Sequence, residues 1–391
     1  MRQCGTQLLK TGMVLARPIY DQHYRKLLSE GTSLAPQTIK RIQDMGFNYI
    51  YIQEDGTENI HVEELIGVQC RREASEALEN LAATGRQQAS TANRSPFRVR
   101  QQERAFGVEQ QALVQRAINS MLRDLMYARQ PVYFPGIYLA KDQLINHSTD
   151  VAILTMLIGL GFGFTNKDLA ILGKAALFHD VGKLRLDEEL SYLHPLDMTD
   201  EQEDLYRMHP QMGAVLLEQD ITNDIHVTMA VLQHHERQDG NGFPEGLTGS
   251  GEPPTSKVRE RGSIHRFAEI IAVANYFDNL VAGRVEREPL SPMAAVQRII
   301  EKTPAWFNPH VTQMALSVIN VFPEGSNVEV RESRHYSLIG FRGVVSKINM
   351  ENLSRPTVTL LYNARHQRLD EPLVVDFRDD NRIRLDYLPD L

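Results

Sequence analysis

The chain has 391 residues, 42% hydrophobic and 24% charged, ordinary values for globular protein at a length that points to two or three domains. A net charge of −8 disfavours binding by phosphate neutralisation, so neither DNA nor RNA is expected as a partner. Cys4 and Cys70 are too few for a disulfide framework, and the N-terminus lacks a basic region followed by an apolar one, so a cytoplasmic protein is expected.

Residues 1–84 read as a small α/β module plus a helix, with a sensor, docking or structural role. Leu8–Val14 and Ala16–Tyr20 have extended character. Pro36 opens a helix through Met45 that Gly46 stops, and Tyr49–Ile52 reads as a strand. A helical pattern follows from His61 to about Ala83. Residues 85–105, rich in Arg, Gln, Ser, Thr and Asn around Pro96, read as a polar linker. Their basic cluster lacks the aromatic residues of a single-strand nucleic-acid site.

From 106 to 322 helical spacing recurs, over Leu113–Leu125, Ile145–Leu160, Glu201–Glu218, Ile221–His234, His265–Asp278, Pro292–Lys302 and Pro309–Ile319. The apolar run Val151–Phe164 is too short for a membrane span and laced with glycine, which predicts a buried helix and no span. Thr165 or Asn166 caps the next helix, with Asp168 in its first turn. Beyond Pro323, the runs Val328–Val330, Gly343–Ile348, Thr357–Tyr362 and Val374–Phe377 predict a small β domain over 323–391, a compact barrel or sandwich.

The helical region holds the residues with chemistry: His147, His179-Asp180, His209 and His234-His235, the last pair running into a glycine-punctuated loop that ends at Pro244. Consecutive helical residues point about 100° apart, so an adjacent His-Asp or His-His pair can grip one metal or straddle two. Mixed imidazole and carboxylate ligands suit Fe, Mn, Zn, Co or Ni better than Ca or Mg. His194, His226, His265 and His310 lie outside this set and read as surface or core residues.

The ordered set His179-Asp180-Val181-Gly182-Lys183, His209-Pro210 and His234-His235-Glu236 with Asp239-Gly240-Asn241-Gly242-Phe243-Pro244 resembles the HD-GYP family. This is the branch of the HD phosphohydrolases that hydrolyses cyclic di-GMP. The similarity covers roughly residues 140–322 and includes Ile270–Leu280 and Phe307-Asn308-Pro309. It implies a mainly α protein, a helical HD-type phosphohydrolase domain over 106–322 flanked by the α/β module and the β domain. It further implies His147, His179, Asp180, His209, His234, His235 and Asn275 as ligands of two divalent ions, with Fe or Mn favoured and Zn, Co or Ni admitted. Asp180 and Lys183 would be catalytic. Lys183, Gly242, Phe243, Arg284 and Arg287 would contact substrate, and Glu236 and Asp278 would orient ligand imidazoles from behind. The implied reaction is in-line attack on phosphorus by a metal-bridging hydroxide, opening cyclic di-GMP to pGpG and then GMP.

Four positions depart from the family pattern. Asn275 stands where an aspartate is usual, and Phe243 where the signature has tyrosine. Gln143 replaces a glutamate tied to a third metal in some members, which favours two metals, and Arg284-Val285-Glu286-Arg287 replaces Arg-Pro-Tyr-Arg. Two alternatives therefore stand beside the phosphodiesterase: a catalytically weakened cyclic di-GMP sensor or scaffold, and a phosphohydrolase of another nucleotide. Protein signalling partners and a homodimer are compatible with any of the three.

Overall fold

Pro36 starts α1 (Pro36–Asp44), whose Ile39 and Ile42 are buried, and Gly46 at φ 81° follows its end. Beside it β1 (Arg2–Gly5) pairs antiparallel with β4 (Tyr49–Ile52), and β2 (Ile19–Tyr20) with β3 (Lys26–Leu28). The extended character expected over Leu8–Val14 and Ala16–Tyr20 becomes strand only at Ile19–Tyr20. The first strand instead lies at Arg2–Gly5, where Cys4 is the one apolar side chain and no alternation marks it. The computed structural model describes every residue except 22–23, 63–64, 91–95, 129–142, 221–223, 257–259, 287 and 389.

Helix α2 spans Val68–Ser90 and α3 spans Pro96–Tyr127. The polar linker expected at 85–105 is thus helical on both sides of 91–95, which lie outside the described residues. Ala, Gln and Arg are good helix formers and proline is tolerated at a first helical position, so a polar composition there does not break the helix.

The helical region continues with α4 (Gln143–Gly161), α5 (Asn166–Leu177), α6 (Glu188–Tyr192), α7 (Asp200–Tyr206), α8 (His209–Asp220) and α9 (Ile225–Leu232). It closes with α10 (Arg266–Val281), α11 (Pro292–Lys302) and α12 (Pro309–Val318). Thr165 caps α5 by accepting the Asp168 N–H, as its sequence predicts. The single helix expected over Glu201–Glu218 is two, because Pro210 has no N–H with which to continue the α7 ladder. Helix α4 is the central one: Val151–Leu154 and Met156–Ile158 are buried, and it packs on α2, α5, α10 and α12. Its stretch Leu144–Gly161 is long and apolar enough to cross a membrane by composition, and 78% of it is buried inside the protein. That is the burial expected of a core helix.

Strands β5 (Asn327–Glu332), β6 (Arg342–Lys347), β7 (Thr357–Tyr362), β8 (Arg368–Asp376) and β9 (Arg384–Leu388) form one antiparallel sheet in the order β8-β7-β6-β5-β9. The expected barrel or sandwich is therefore one sheet, with no β8–β9 pairing among the described residues. The reason lies in the core: Val328, Val330, Val345, Val358, Leu360 and Phe377 share one apolar cluster with the helices, so the sheet needs no second sheet to cover it. The N-terminal module docks on the same sheet. Asn327 Nδ2 donates to the Gln3 carbonyl at 2.9 Å, Arg2 pairs with Glu54 at 3.0 Å and with Asp390, and Arg368 reaches Glu54 at 2.7 Å.

Candidate metal centre

Helices α5, α7 and α9 all stop near one point, and the last carbonyls of a helix have no intrahelical donor. An imidazole answers each of them. His179 Nδ1 lies 2.8 Å from the Ala176 carbonyl, His209 Nδ1 2.6 Å from that of Tyr206, and His234 Nδ1 2.6 Å from that of Val231. A proton on Nδ1 for each carbonyl leaves the Nε2 lone pair free, the tautomer a metal ligand needs. The His179-Asp180 and His234-His235 pairs accordingly sit just past helix ends, not within helices as the spacing argument assumed.

The five imidazoles converge on Asp180, which is 1% exposed. Its Oδ2 lies 3.4 Å from His147 Nε2 and 3.5 Å from His179 Nε2, and these two nitrogens are 3.2 Å apart. Its Oδ1 lies 3.2 Å from His209 Nε2 and 3.7 Å from His234 Nε2, themselves 3.4 Å apart. Two groups result, each compact enough to hold one ion: His147, His179 and Asp180, and Asp180, His209, His234 and His235. Asp180 belongs to both and offers one oxygen to each.

Electrostatics prepare the same set. Burial pushes His179 and His235 well below the usual histidine range and His209 down to about 4, which keeps these imidazoles neutral. Burial alone would raise the Asp180 carboxyl, but the Lys183 ammonium and the surrounding imidazoles outweigh it and hold it well below the carboxylate range. Burial likewise opposes the charge on Lys183, and Asp180 with Tyr206 reverses that and raises its pKa above the ordinary lysine value. Asp180 Oδ1 and His235 Nε2 are buried with no hydrogen-bond partner among the described residues. A buried acceptor left without a donor is costly, and a cation at each atom removes that cost. The donor set fits divalent transition metals.

Each remaining sequence-predicted residue has a defined place. Lys183 Nζ is 2.6 Å from Asp180 Oδ2 and 5.0 Å from the centre of the Tyr206 ring. Asp278 does orient an imidazole, its Oδ2 lying 2.6 Å from His147 Nδ1. Glu236 does not: its two oxygens accept the backbone N–H groups of Glu245 and Leu247 at 2.7 and 2.9 Å, so it braces the loop after the histidine pair. Arg284 is turned inward, with Nη1 2.7 Å from Asp278 Oδ2 and 3.0 Å from His147 Nδ1; as placed, it supports the carboxylate behind His147. Asn275 is buried on α10, and its Oδ1 accepts from Asn279 Nδ2 at 2.6 Å. Arg287 lies outside the described residues.

Gly242 is required by space, since a Cβ there would lie 2.4 Å from the Arg237 nitrogen and 2.5 Å from Glu236 Cα. Phe243 stacks on His235 at 4.5 Å and 19°, with the exposed Arg207 guanidinium 5.4 Å from its ring centre. Sequence reasoning missed Tyr206, Arg207 and the role of Gly182. A Cβ on Gly182 would lie 1.8 Å from the His209 carbonyl oxygen, so this glycine lets the Lys183 turn lie against the start of α8. The available signal was the glycine itself, between the His-Asp pair and the lysine.

Part of the chain is similar to known proteins. Residues 132–311 match the HD domain family. The chain is 29% identical over 161 residues, 41% of its length and 39% of the relative's, to the cyclic di-GMP phosphodiesterase response regulator RpfG of Xanthomonas campestris pv. campestris. It is 27% identical over 228 residues, 58% of its length and 50% of the relative's, to the cyclic di-GMP phosphodiesterase PA4108 of Pseudomonas aeruginosa. It is 24% identical over 172 residues, 44% of its length and 30% of the relative's, to the 3'3'-cGAMP-specific phosphodiesterase 2 of Vibrio cholerae serotype O1. The chain thus spans half the length or less of these curated relatives. Among solved structures, the HDG"Y"P protein Bd1817 of Bdellovibrio bacteriovorus aligns with a TM-score of 0.43 at 17% identity, over 80% of this chain and 97% of that one.

Proposed function

We propose, from the match of residues 132–311 to the HD domain family, that the protein is a metal-dependent phosphodiesterase that hydrolyses a cyclic dinucleotide, cyclic di-GMP foremost. One observation carries the reading: Asp180 turns one oxygen toward each of two imidazole groups, the arrangement by which a carboxylate is shared between two cations. The relatives named as cyclic di-GMP phosphodiesterases support the substrate class.

Two divalent ions held there, Fe or Mn favoured and Zn, Co or Ni admitted, would lower the pKa of a shared water toward neutrality and offset phosphoryl charge. The chain's own residues do the rest. His147, His179, His209, His234 and His235 would present ring nitrogens to the ions, and Asp180 stays ionised among them. Lys183, beside Asp180, would stabilise charge on a phosphoryl oxygen as a cation. The Tyr206 ring centre lies 5.0 Å from that ammonium. The bond from water oxygen to phosphorus forms as the bond from phosphorus to the 3′-oxygen breaks, and the water proton ends on that 3′-oxygen. The product is linear pGpG, and a second hydrolysis gives GMP.

A sensor that binds without turnover is the second reading, favoured by Asn275. Its amide oxygen is uncharged and already accepts from Asn279, a weak substitute for a carboxylate ligand. One experiment decides: count the metals in purified protein, then follow cyclic di-GMP with added Mn, Fe, Zn, Co or Ni ions. Release of pGpG or GMP is expected. Binding without product supports the sensor, and cleavage of a different cyclic dinucleotide alone moves the substrate assignment.

A further inference from the structure

His147 is the fifth residue of α4, close to the end where a helix holds the fewest backbone bonds to itself. Two arms from earlier in the chain reach this stretch. The Tyr24 hydroxyl donates to Asn146 Oδ1 at 2.6 Å, and Arg71 Nη1 on α2 donates to Asp150 Oδ1 at 2.8 Å. Asn146 and Asp150 are four residues apart and share a face of α4. Tyr24 is itself held. Its N–H donates to the Asp21 carbonyl at 2.9 Å, its carbonyl accepts from Arg72 Nη2 at 3.2 Å, and its backbone is left-handed at φ 56°. A bulky residue keeps that conformation only where its surroundings hold it. The outcome is a rigid ring that spans 122 positions of sequence to meet the neighbour of a candidate ligand.

We propose that Tyr24 is a positioning residue for His147, by which the N-terminal α/β module sets how well the His147–His179 group holds its cation; this rests on the two-cation reading above. Both contacts fall on α4, which carries a ligand of that group. The other group hangs from α8 and from the turn after α9. A displacement of the β2–β3 hairpin would therefore act on one cation site and leave its neighbour intact. This gives the module a physical route to the chemistry without touching substrate.

Tyr24→Phe removes the hydroxyl and keeps the ring, so it tests the contact without emptying the space. In hydrogen exchange on the chelator-treated full chain, the segment 143–150 should exchange about fivefold faster, the loss of one net hydrogen bond, with α8 and α9 unchanged. In calorimetric titration with Mn ions, one of two binding events should weaken by about the same factor. Asn146→Ala should reproduce the effect, and Tyr24→Phe should add nothing in a His147→Ala background. Unchanged exchange over 143–150, equal acceleration in α8 and α9, or equal weakening of both binding events overturns the proposal. Uptake of fewer than two ions by the unaltered protein would sink the two-cation reading instead, while the exchange result still decides the role of Tyr24.

Discussion

Asp180 is the residue on which most depends, because both imidazole groups use it. Asp180→Ala should abolish hydrolysis and lower metal content to one ion or none by elemental analysis; full activity would rule out a shared carboxylate. Asn275→Asp should increase metal retention under dialysis, since it adds a negative charge on α10 one turn from Asp278, while Asn279 can still donate to it. Unchanged retention would place residue 275 outside the ligand set. The histidines predict a pH dependence. His209 has a folded pKa of about 4 against 6.5 for the free side chain, so between these values the unfolded chain takes up a proton that the folded chain refuses. Stability is then fully present near neutrality and falls as pH drops, by about 2 kcal/mol at pH 5 from this residue alone. His179 and His235 shift the same way, and urea denaturation of chelator-treated protein at pH 7 and pH 5 measures the sum.

At the level of elements, the sequence was most informative where residue type dictates chemistry. His147, His179, Asp180, His209, His234 and His235 are brought together as their order implied, because few other side chains ligate metals. The helix starts at Asn166, Pro292 and Pro309 were equally readable, and Thr165, Ser291 and Asn308 cap them. What could not be read depends on partners distant in sequence. The carbonyls of Ala176, Tyr206 and Val231 meet the three Nδ1 atoms only because α5, α7 and α9 end where they do. Glu236 gave no sign that it would hold loop N–H groups nine and eleven residues later. Gly182 shows the same limit, since its need is set by the backbone of α8. Gly182→Ala should therefore separate the Lys183 turn from His209 and cost at least about 2 kcal/mol by overpacking, with activity lost. A thermal melt and a turnover assay test it, and wild-type values in both would show that the turn can move freely.

Across the whole molecule, the helices and the C-terminal sheet share one apolar cluster. A chain ending at 322 would lose Val328, Val330, Val345, Val358, Leu360 and Phe377 from that core. It should melt about 10 °C or more below the full chain, or fail to stay in solution. An unchanged melt would show two independent units.

The pairing of Lys183 with Asp180 has a thermodynamic corollary. The oxygen 2.6 Å from the ammonium is the one that faces His147 and His179, so a cation arriving there competes with the lysine for it. Once displaced, that ammonium would be available to a phosphate. Cation and phosphate would then favour each other by a common coupling free energy, the same whichever binds first. The half-saturating concentration of Mn ions should fall when a non-hydrolysable cyclic dinucleotide is present, and that analogue should bind more tightly by the same factor when Mn is saturating. In Lys183→Met the coupling should shrink, because the latch that links the two events is gone.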